Sequence, residues 1–188
     1  MKRERGILLI EVLISMLIAS VALLGTVALM ARSTRNEMES YQRVQALTLV
    51  QDMVSRINAN RQVAACYSSG ATGLTVGTGM AAPPVCATGT PTPTALQAAT
   101  ANADLAAWRN ALLGAGEVSA GNKVGAMIGA IGCVERIDAT NNVYRVTVVW
   151  QGLMPTAAPS LACGQGKFGP DDSLRRAVSV QVRIANLT

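Results

Sequence analysis

Gly6-Ile7-Leu8-Leu9-Ile10-Glu11-Val12-Leu13 places one carboxylate five residues past a glycine, at the start of an apolar run that continues to Ala31. From Val12 to Ala31 there is no formal charge, and those 20 residues reach about 30 Å as an α-helix, the thickness of a bilayer's hydrocarbon core. The segment is long enough to cross a membrane once. An ionised Glu near the bilayer centre costs on the order of a few kcal/mol, so such a residue marks a function or a waiting partner, and Glu11 requires a cation. Cleavage between Gly6 and Ile7 would create an α-amino group one helical turn before Glu11, at the helix end where the macrodipole also favours negative charge. In an assembly of parallel helices the amine of one subunit can equally pair with Glu11 of its neighbour and fix their axial stagger.

The short basic leader Met1-Lys2-Arg3-Glu4-Arg5-Gly6, followed by Ile7-Leu8-Leu9-Ile10-Glu11-Val12-Leu13, resembles the class III signal of type IV pilins and their relatives. The resemblance implies removal of residues 1–6 by the prepilin peptidase, N-methylation of Ile7, and use of the apolar helix first as a membrane anchor and then as packing in a filament core. The family's usual residue after the cut is Phe or Met, from which Ile7 departs. Two blander readings compete, a secretory signal and a plain single-span anchor. Ser20-Val21-Ala22 has the form of a small-residue cleavage site, and Lys2, Arg3 and Arg5 form a positive n-region. Against both, a Glu inside the apolar start has no role in an ordinary signal, and the apolar run extends well past Ala22.

At 188 residues the chain has room for one anchor helix and one modest globular domain. Four Cys and no His argue against a Cys–His catalytic pair and against Cys/His zinc sites. An even number of Cys in an exported chain points to disulfides. The formal charge is +5, but the leader holds Lys2, Arg3 and Arg5 against Glu4, so much of that excess leaves with it. What remains is a weak argument for a polyanion partner, and one Phe, three Tyr and two Trp offer few bases a stacking surface. A nucleic-acid partner is therefore not expected.

Beyond the anchor, polar residues enter while a helical period persists through Met38, Tyr41, Leu49 or Val50, Met53 and Ile57. No Pro interrupts Ile7 to Arg61, which predicts one continuous helix of about 50 residues, near 80 Å long. Gly25 and Thr26 lie in its apolar half, where Gly weakens a helix by about 1 kcal/mol relative to Ala; local melting on assembly and simple tolerance in a membrane helix are equal readings. Asp52 and Arg56 form an i,i+4 pair worth a few tenths of a kcal/mol if exposed, and for stability a merely solvated face is the favoured reading. Gln42-Arg43, Ala46, Asp52-Met53-Val54-Ser55-Arg56-Ile57 and Asn58-Ala59-Asn60-Arg61 resemble the helix of PilV-type minor pilins, and so does the later block Ala103-Asp104-Leu105-Ala106-Ala107-Trp108-Arg109-Asn110-Ala111-Leu112-Leu113.

Ser68 to Ala101 is rich in Gly, Ala, Thr, Ser and Pro, with Pro83-Pro84 and Thr90-Pro91-Thr92-Pro93 as breakers, and reads as a long loop, a tolerated insertion before a recognition surface. Leu105, Trp108, Leu112 and Leu113 mark a short helix with Asn102 or Asp104 near its start and Gly114 at its end, Trp108 serving as a core anchor. Strands follow: Val143 to Trp150, with Tyr144, Val146, Val148 and Trp150 on one face, and Arg176 to Ile184, with Val178, Val180, Val182 and Ile184 on one face. A further strand is expected within Val124 to Asp138, turning at Asn141-Asn142. The expected fold is α+β, an antiparallel sheet of three or four strands, buried on one face, against the second half of the long helix; the resemblance implies the same pilin fold. Cys66 and Cys86 flank most of the loop, and Cys133 and Cys163 bracket the middle strand. Pairing each couple within itself is preferred among the three connectivities that four Cys allow, and closing the first loop stabilises the fold by roughly 3 kcal/mol.

Other chemistry is sparse. Gly164-Gln165-Gly166-Lys167 and Gly125, Gly129, Gly132 lack the strand–loop–helix context of a phosphate cradle and read as turns and close packing. Asp171-Asp172 lacks the oxygen-rich spacing of a Ca²⁺ site and reads as a solvated loop. Without His a common Ser hydrolase has no general base, so no enzyme, cofactor or metal is expected. The organisation expected is a leader (1–6), a transmembrane and filament-core helix (7–31), its amphipathic continuation (32–62), and a head (63–188) with a loop at 68–101. The resemblance implies a minor pilin in a priming or tip complex, with other minor pilins, the major pilin, the prepilin peptidase/methyltransferase and an inner-membrane assembly platform as partners. It also implies a single-pass start in the inner membrane, head in the periplasm, and a later place in a surface pilus. Alternatives are a minor pseudopilin of a type II secretion system, and an adhesin or DNA-uptake subunit contacting ligand through the Gly/Thr-rich loop or through Arg175, Arg176 and Arg183.

Overall fold

The computed structural model describes residues 9–86, 92–116, 118–123 and 127–185. They fall into two compact units divided between Ser40 and Tyr41, and the first helix, α1 (Leu9–Ala59, 51 residues), contributes to both.

The first unit contains helix with apolar side chains turned outward all round: Leu9, Leu13, Leu17, Leu24 and Met30 are all more than half exposed. The hydroxyls of its apolar run are satisfied within the helix, as an apolar solvent demands. Ser15 Oγ donates to Glu11 O at 2.7 Å, Ser20 Oγ to Met16 O at 2.9 Å, and Thr26 Oγ1 to Leu23 O at 2.8 Å. The segment meets the length and composition of a membrane span, and none of its apolar window is buried.

In the second unit the rest of α1 buries Gln42, Ala46, Val50, Met53 and Ile57 at three- and four-residue steps. The stripe expected from sequence began at Met38 and Tyr41, yet these are 50% and 58% exposed. Their apolar character belongs to an outward face, and the inward one opens on the polar Gln42. A 3-10 turn (Arg61–Val63) and a short helix α2 (Ala64–Tyr67) follow, then strand β1 (Leu74–Gly77) and helix α3 (Ala95–Leu112).

Both β1 and the first part of α3 fall in residues 68–101, so the expected uninterrupted loop is corrected. Thr94 caps α3: its hydroxyl accepts from Gln97 N and the Gln97 side chain accepts from Thr94 N, a reciprocal arrangement that satisfies two orphan donors at the helix start. The helix therefore begins nine residues before Asp104. It ends as expected, with Gly114 at φ 72° taking the left-handed turn that glycine allows without strain.

Strands β2 (Val118–Ser119) and β3 (Asn122–Lys123) form a small hairpin. The main sheet adds β4 (Ile131–Asp138), β5 (Val143–Gln151) and β6 (Arg175–Arg183) in the antiparallel order β1-β4-β5-β6. In the β4–β5 turn Asn142 adopts φ 51°, a conformation Asn tolerates better than most residues. Tyr144, Val146, Val148 and Trp150 join Val50, Met53, Ile57, Trp108 and Leu112 in the principal core. Gly132 allows the closest approach: a Cβ there would overlap the Trp108 ring and stand 2.7 Å from Leu112 Cδ1.

The expectation of a sheet buried on one face holds for β6, where exposed Ser179 and Gln181 alternate with half-buried Val178, Val180 and Val182. It fails for β4 and β5. Ile131, Cys133 and Val149 form a second core with Cys163 and Phe168, because the segment between β5 and β6 folds back over the sheet's far side. Alternation cannot reveal a strand covered on both faces.

Candidate functional site

Glu11 lies in the first described turn of α1 and is exposed. Among the described residues it has no ion-pair partner. Gly6 and Ile7, the expected peptidase cleavage and N-methylation positions, lie outside the described residues, so the charge pair with the Ile7 amine has only its Glu11 half in view. Sequence and structure agree on the setting: a carboxylate at the head of an exposed apolar helix.

A second constellation gathers where α1, α2 and α3 meet. Arg56, in the last turns of α1, places Nε 3.0 Å from Asp52 Oδ1 and 2.9 Å from Asp52 Oδ2, and its Nη1 2.7 Å from Asp104 Oδ1 on α3. The other Asp104 oxygen accepts from the Tyr67 hydroxyl of α2 at 2.6 Å. Asn60 Nδ2 donates to Tyr67 Oη at 3.3 Å and to Gln97 O at 3.0 Å. The reading of Asp52 and Arg56 as a solvated pair is thereby corrected: the arginine is held between two carboxylates and clamps one helix to another. The signal that sequence reasoning missed was Asp104, an acid inside the apolar stripe of α3.

Its electrostatics follow from this packing. The Asp52 hydrogen bond raises the Arg56 pKa, with Asp104 adding to it and partial burial opposing it. Burial first, and then the hydrogen bond to Asp104, push the Tyr67 phenol well above the ordinary tyrosine range. Tyr67 thus remains a neutral donor to Asp104. A groove of about 390 Å³ opens beside this junction, lined by Ser55, Ala59, Leu96 and Thr100.

Trp108 is fully buried, and its Nε1 donates to Leu49 O at 2.9 Å, a second tie between α3 and α1. Cys66 is bonded to Cys86 and Cys133 to Cys163. The first bond closes residues 66–86 around β1, and the second fastens the segment after β5 to β4.

That covering segment is organised by Arg175, which the sequence offered as a ligand contact. The structure corrects this, because Arg175 is only 2% exposed. Its Nη1 donates to Leu161 O and Cys163 O, both at 2.6 Å, and its Nη2 to Pro159 O at 2.9 Å. Asp172 is likewise buried instead of solvated; it lies 3.4 Å from Arg175 Nε and accepts from Gly166 N at 2.8 Å. Gly164 to Lys167 is thus a turn pinned by a carboxylate. Arg176 is engaged too, donating to Thr156 Oγ1 at 2.7 Å, to Ser173 O at 3.2 Å and to Met154 O. Of the three, Arg183 alone is exposed and without a hydrogen bond or ion pair among the described residues. Among those residues no cluster of three His, Cys, Asp or Glu could hold a metal ion.

Residues 28–107, less than half of the chain, match the family model described as Type IV pilin Tt1218 (Tt1218-like). The match spans most of α1, the Cys66–Cys86 loop, β1 and the first two-thirds of α3, so the whole Asp52–Arg56–Asp104–Tyr67 junction lies inside it. It supports a pilin subunit of the type IV superfamily. No curated protein and no solved structure gives a significant match.

Proposed function

We propose that this chain is a minor pilin, a non-enzymatic subunit that starts as an inner-membrane protein with its head in the periplasm and joins other minor pilins in a priming or tip complex of a type IV pilus. One observation carries the reading: an outward-facing apolar helix with a carboxylate in its first described turn runs on, in one continuous α1, into a head that packs on it. A helix that exposes apolar side chains all round requires lipid or sister helices as its solvent, and α1 suits both in turn.

In this mechanism the prepilin peptidase frees and methylates the Ile7 amine. That amine and Glu11 offset each other's burial, within one subunit or between neighbours, and the pairing sets the axial stagger of the helices. The head contributes rigidity. Arg56, Asp104, Tyr67 and Trp108 hold α3 and α2 against α1, so that a load on the helix reaches the sheet without loosening the core.

A strain lacking the protein, scored for surface pili, twitching motility and exoprotein secretion, tests the assignment. Loss of pili and motility with intact secretion is the expected result. Lost secretion with intact pili would reassign the chain to a secretion pseudopilus, and intact pili with lost adhesion or DNA uptake would make it a receptor.

A further inference from the structure

Three arginines gather at the end of the head where α1 stops and the β4–β5 turn lies. Arg61 follows α1, Arg136 lies near the end of β4, and Arg183 ends β6. Two cavities occupy this edge, one of about 310 Å³ lined by Arg61 and Arg136, the other of about 520 Å³ lined by Arg183. They share Thr140, Asn142 and Ile184 as lining residues.

Among the described residues the charge here is compensated only in part. None of the three arginines forms an ion pair among the described residues. Asp138, the nearby acid, lies two strands from Arg183, in register through Val143 and near enough for the two charges to attract, but its carboxylate hydrogen bonds are committed to the turn. It accepts from Thr140 N at 2.8 Å, from Asn141 N at 3.0 Å and from Asn141 Nδ2 at 2.7 Å. Arg136 spends Nη2 on Ala139 O, at 2.9 Å, and on Asn142 Oδ1. Its Nε is buried and has no hydrogen-bond partner among the described residues. The same guanidinium lies 5.9 Å over the Tyr144 ring centroid, and an arginine without an ion pair favours an anionic neighbour for its remaining donors.

We propose that this basic edge is a docking site for an acidic segment, an Asp- or Glu-bearing stretch of a partner subunit. The proposal rests on the assembly reading and names the chemistry of one neighbour. A carboxylate suits the site better than a nucleic-acid backbone on two counts. Three cations are too few for the six to ten phosphate contacts that make a polyanion bind firmly, and the aromatic at the site, Tyr144, is only 2% exposed and cannot stack on a base. Arginine's planar fork matches a carboxylate.

The test uses the full-length protein in detergent micelles and fluorescence anisotropy with labelled hexaglutamate. Binding should weaken with salt. Arg61→Gln with Arg183→Gln, two exposed side chains without a hydrogen bond among the described residues, should weaken it by about tenfold, whereas Arg43→Gln with Lys167→Gln removes the same charge elsewhere and should change it little. Arg136→Lys, which keeps the charge and loses the planar fork, should fall between. No binding of the peptide, or equal weakening by both double variants, overturns the site. Tighter binding of dodecathymidine that is lost in the Arg61/Arg183 variant overturns the acidic-peptide assignment in favour of nucleic acid. Pili in the deletion strain report on the assembly reading separately, so either conclusion can fail alone.

Discussion

Arg56 Nη1 lies 2.7 Å from Asp104 Oδ1 while the same guanidinium holds Asp52, so one residue of α1 carries both a local and a long-range ion pair. The two differ in exposure: Asp104 is 18% exposed at its side chain and Asp52 37%. Partial burial strengthens the Asp104 contact and water screens the Asp52 one. Double-mutant cycles by urea unfolding should give a coupling of about 1–3 kcal/mol for Arg56→Gln with Asp104→Asn, and a few tenths for Arg56→Gln with Asp52→Asn. Equal couplings would return Arg56 to the status of a surface residue.

Gly132→Ala tests the contact between α3 and the sheet. The added methyl would overlap the Trp108 ring and crowd Leu112, both of which are held in the core. Overpacking of this kind costs about 1–3 kcal/mol. Trp108→Phe, which removes the donor to Leu49 O and makes room, should recover part of that loss in the double variant. Thermal unfolding of all three proteins decides it, and additive losses would mean that the two positions do not share one contact.

What the sequence conveyed follows from how local each signal is. The long helix, the alternation in β6, the inward face of β5, the Asn141–Asn142 turn and the Trp108 stripe each rest on spacing within one element, and each was legible. The Thr94–Gln97 capping box was also legible in principle, but the prolines before it drew the helix start too far along. Strand β1 was not. Leu74-Thr75-Val76-Gly77 is four residues in a Gly- and Thr-rich stretch, and it becomes a strand by pairing with Ile131 to Val134, more than fifty positions on. Arg175 shows the same limit at the site: nothing in Arg175-Arg176 distinguishes the buried loop organiser from its neighbour, because the carbonyls of Pro159, Leu161 and Cys163 arrive from another segment.

Tyr67 gives the head an alkaline limit. Its phenol pKa is raised above the ordinary 10.0, so the native state holds that proton more tightly than the unfolded chain does. The corresponding stabilisation is complete below pH 10 and is lost as pH rises through the folded value. Tyr144, raised by burial, acts with the same sign. The urea midpoint should therefore fall above about pH 10, and Tyr67→Phe should flatten that fall while lowering the neutral-pH midpoint through loss of the hydrogen bond to Asp104. An unchanged alkaline slope would remove Tyr67 from the account.

Arg175→Met removes the three carbonyl contacts that organise residues 159–163 and leaves Asp172 as a buried acid without its cation. Breaking such a pair costs about 3–5 kcal/mol. Because Cys133–Cys163 still tethers the segment, the principal core should survive better than the second one. Limited proteolysis should show new cleavage between 153 and 162, with the fragments joined until reduction. Cleavage no faster than in the parent chain would show that the disulfide and Phe168 hold the segment without the arginine.

Glu11→Ala separates anchoring from assembly. The apolar run after it is long enough to span a membrane without the carboxylate, and its removal takes away a costly charge, so insertion should proceed and the mature protein should still begin at Ile7 by mass spectrometry. Incorporation should fail, because the freed amine then has no acid to meet within its own helix or on a neighbour, and each subunit entering the apolar bundle would bury an unpaired cation. Shed filaments, probed for the protein, should contain it in the parent strain and lack it in the variant, with fewer surface pili. Glu11→Gln sharpens the point: it restores size and hydrogen bonding without charge, so recovery of incorporation in this variant would replace the charge pair with a hydrogen bond as the element that sets the stagger.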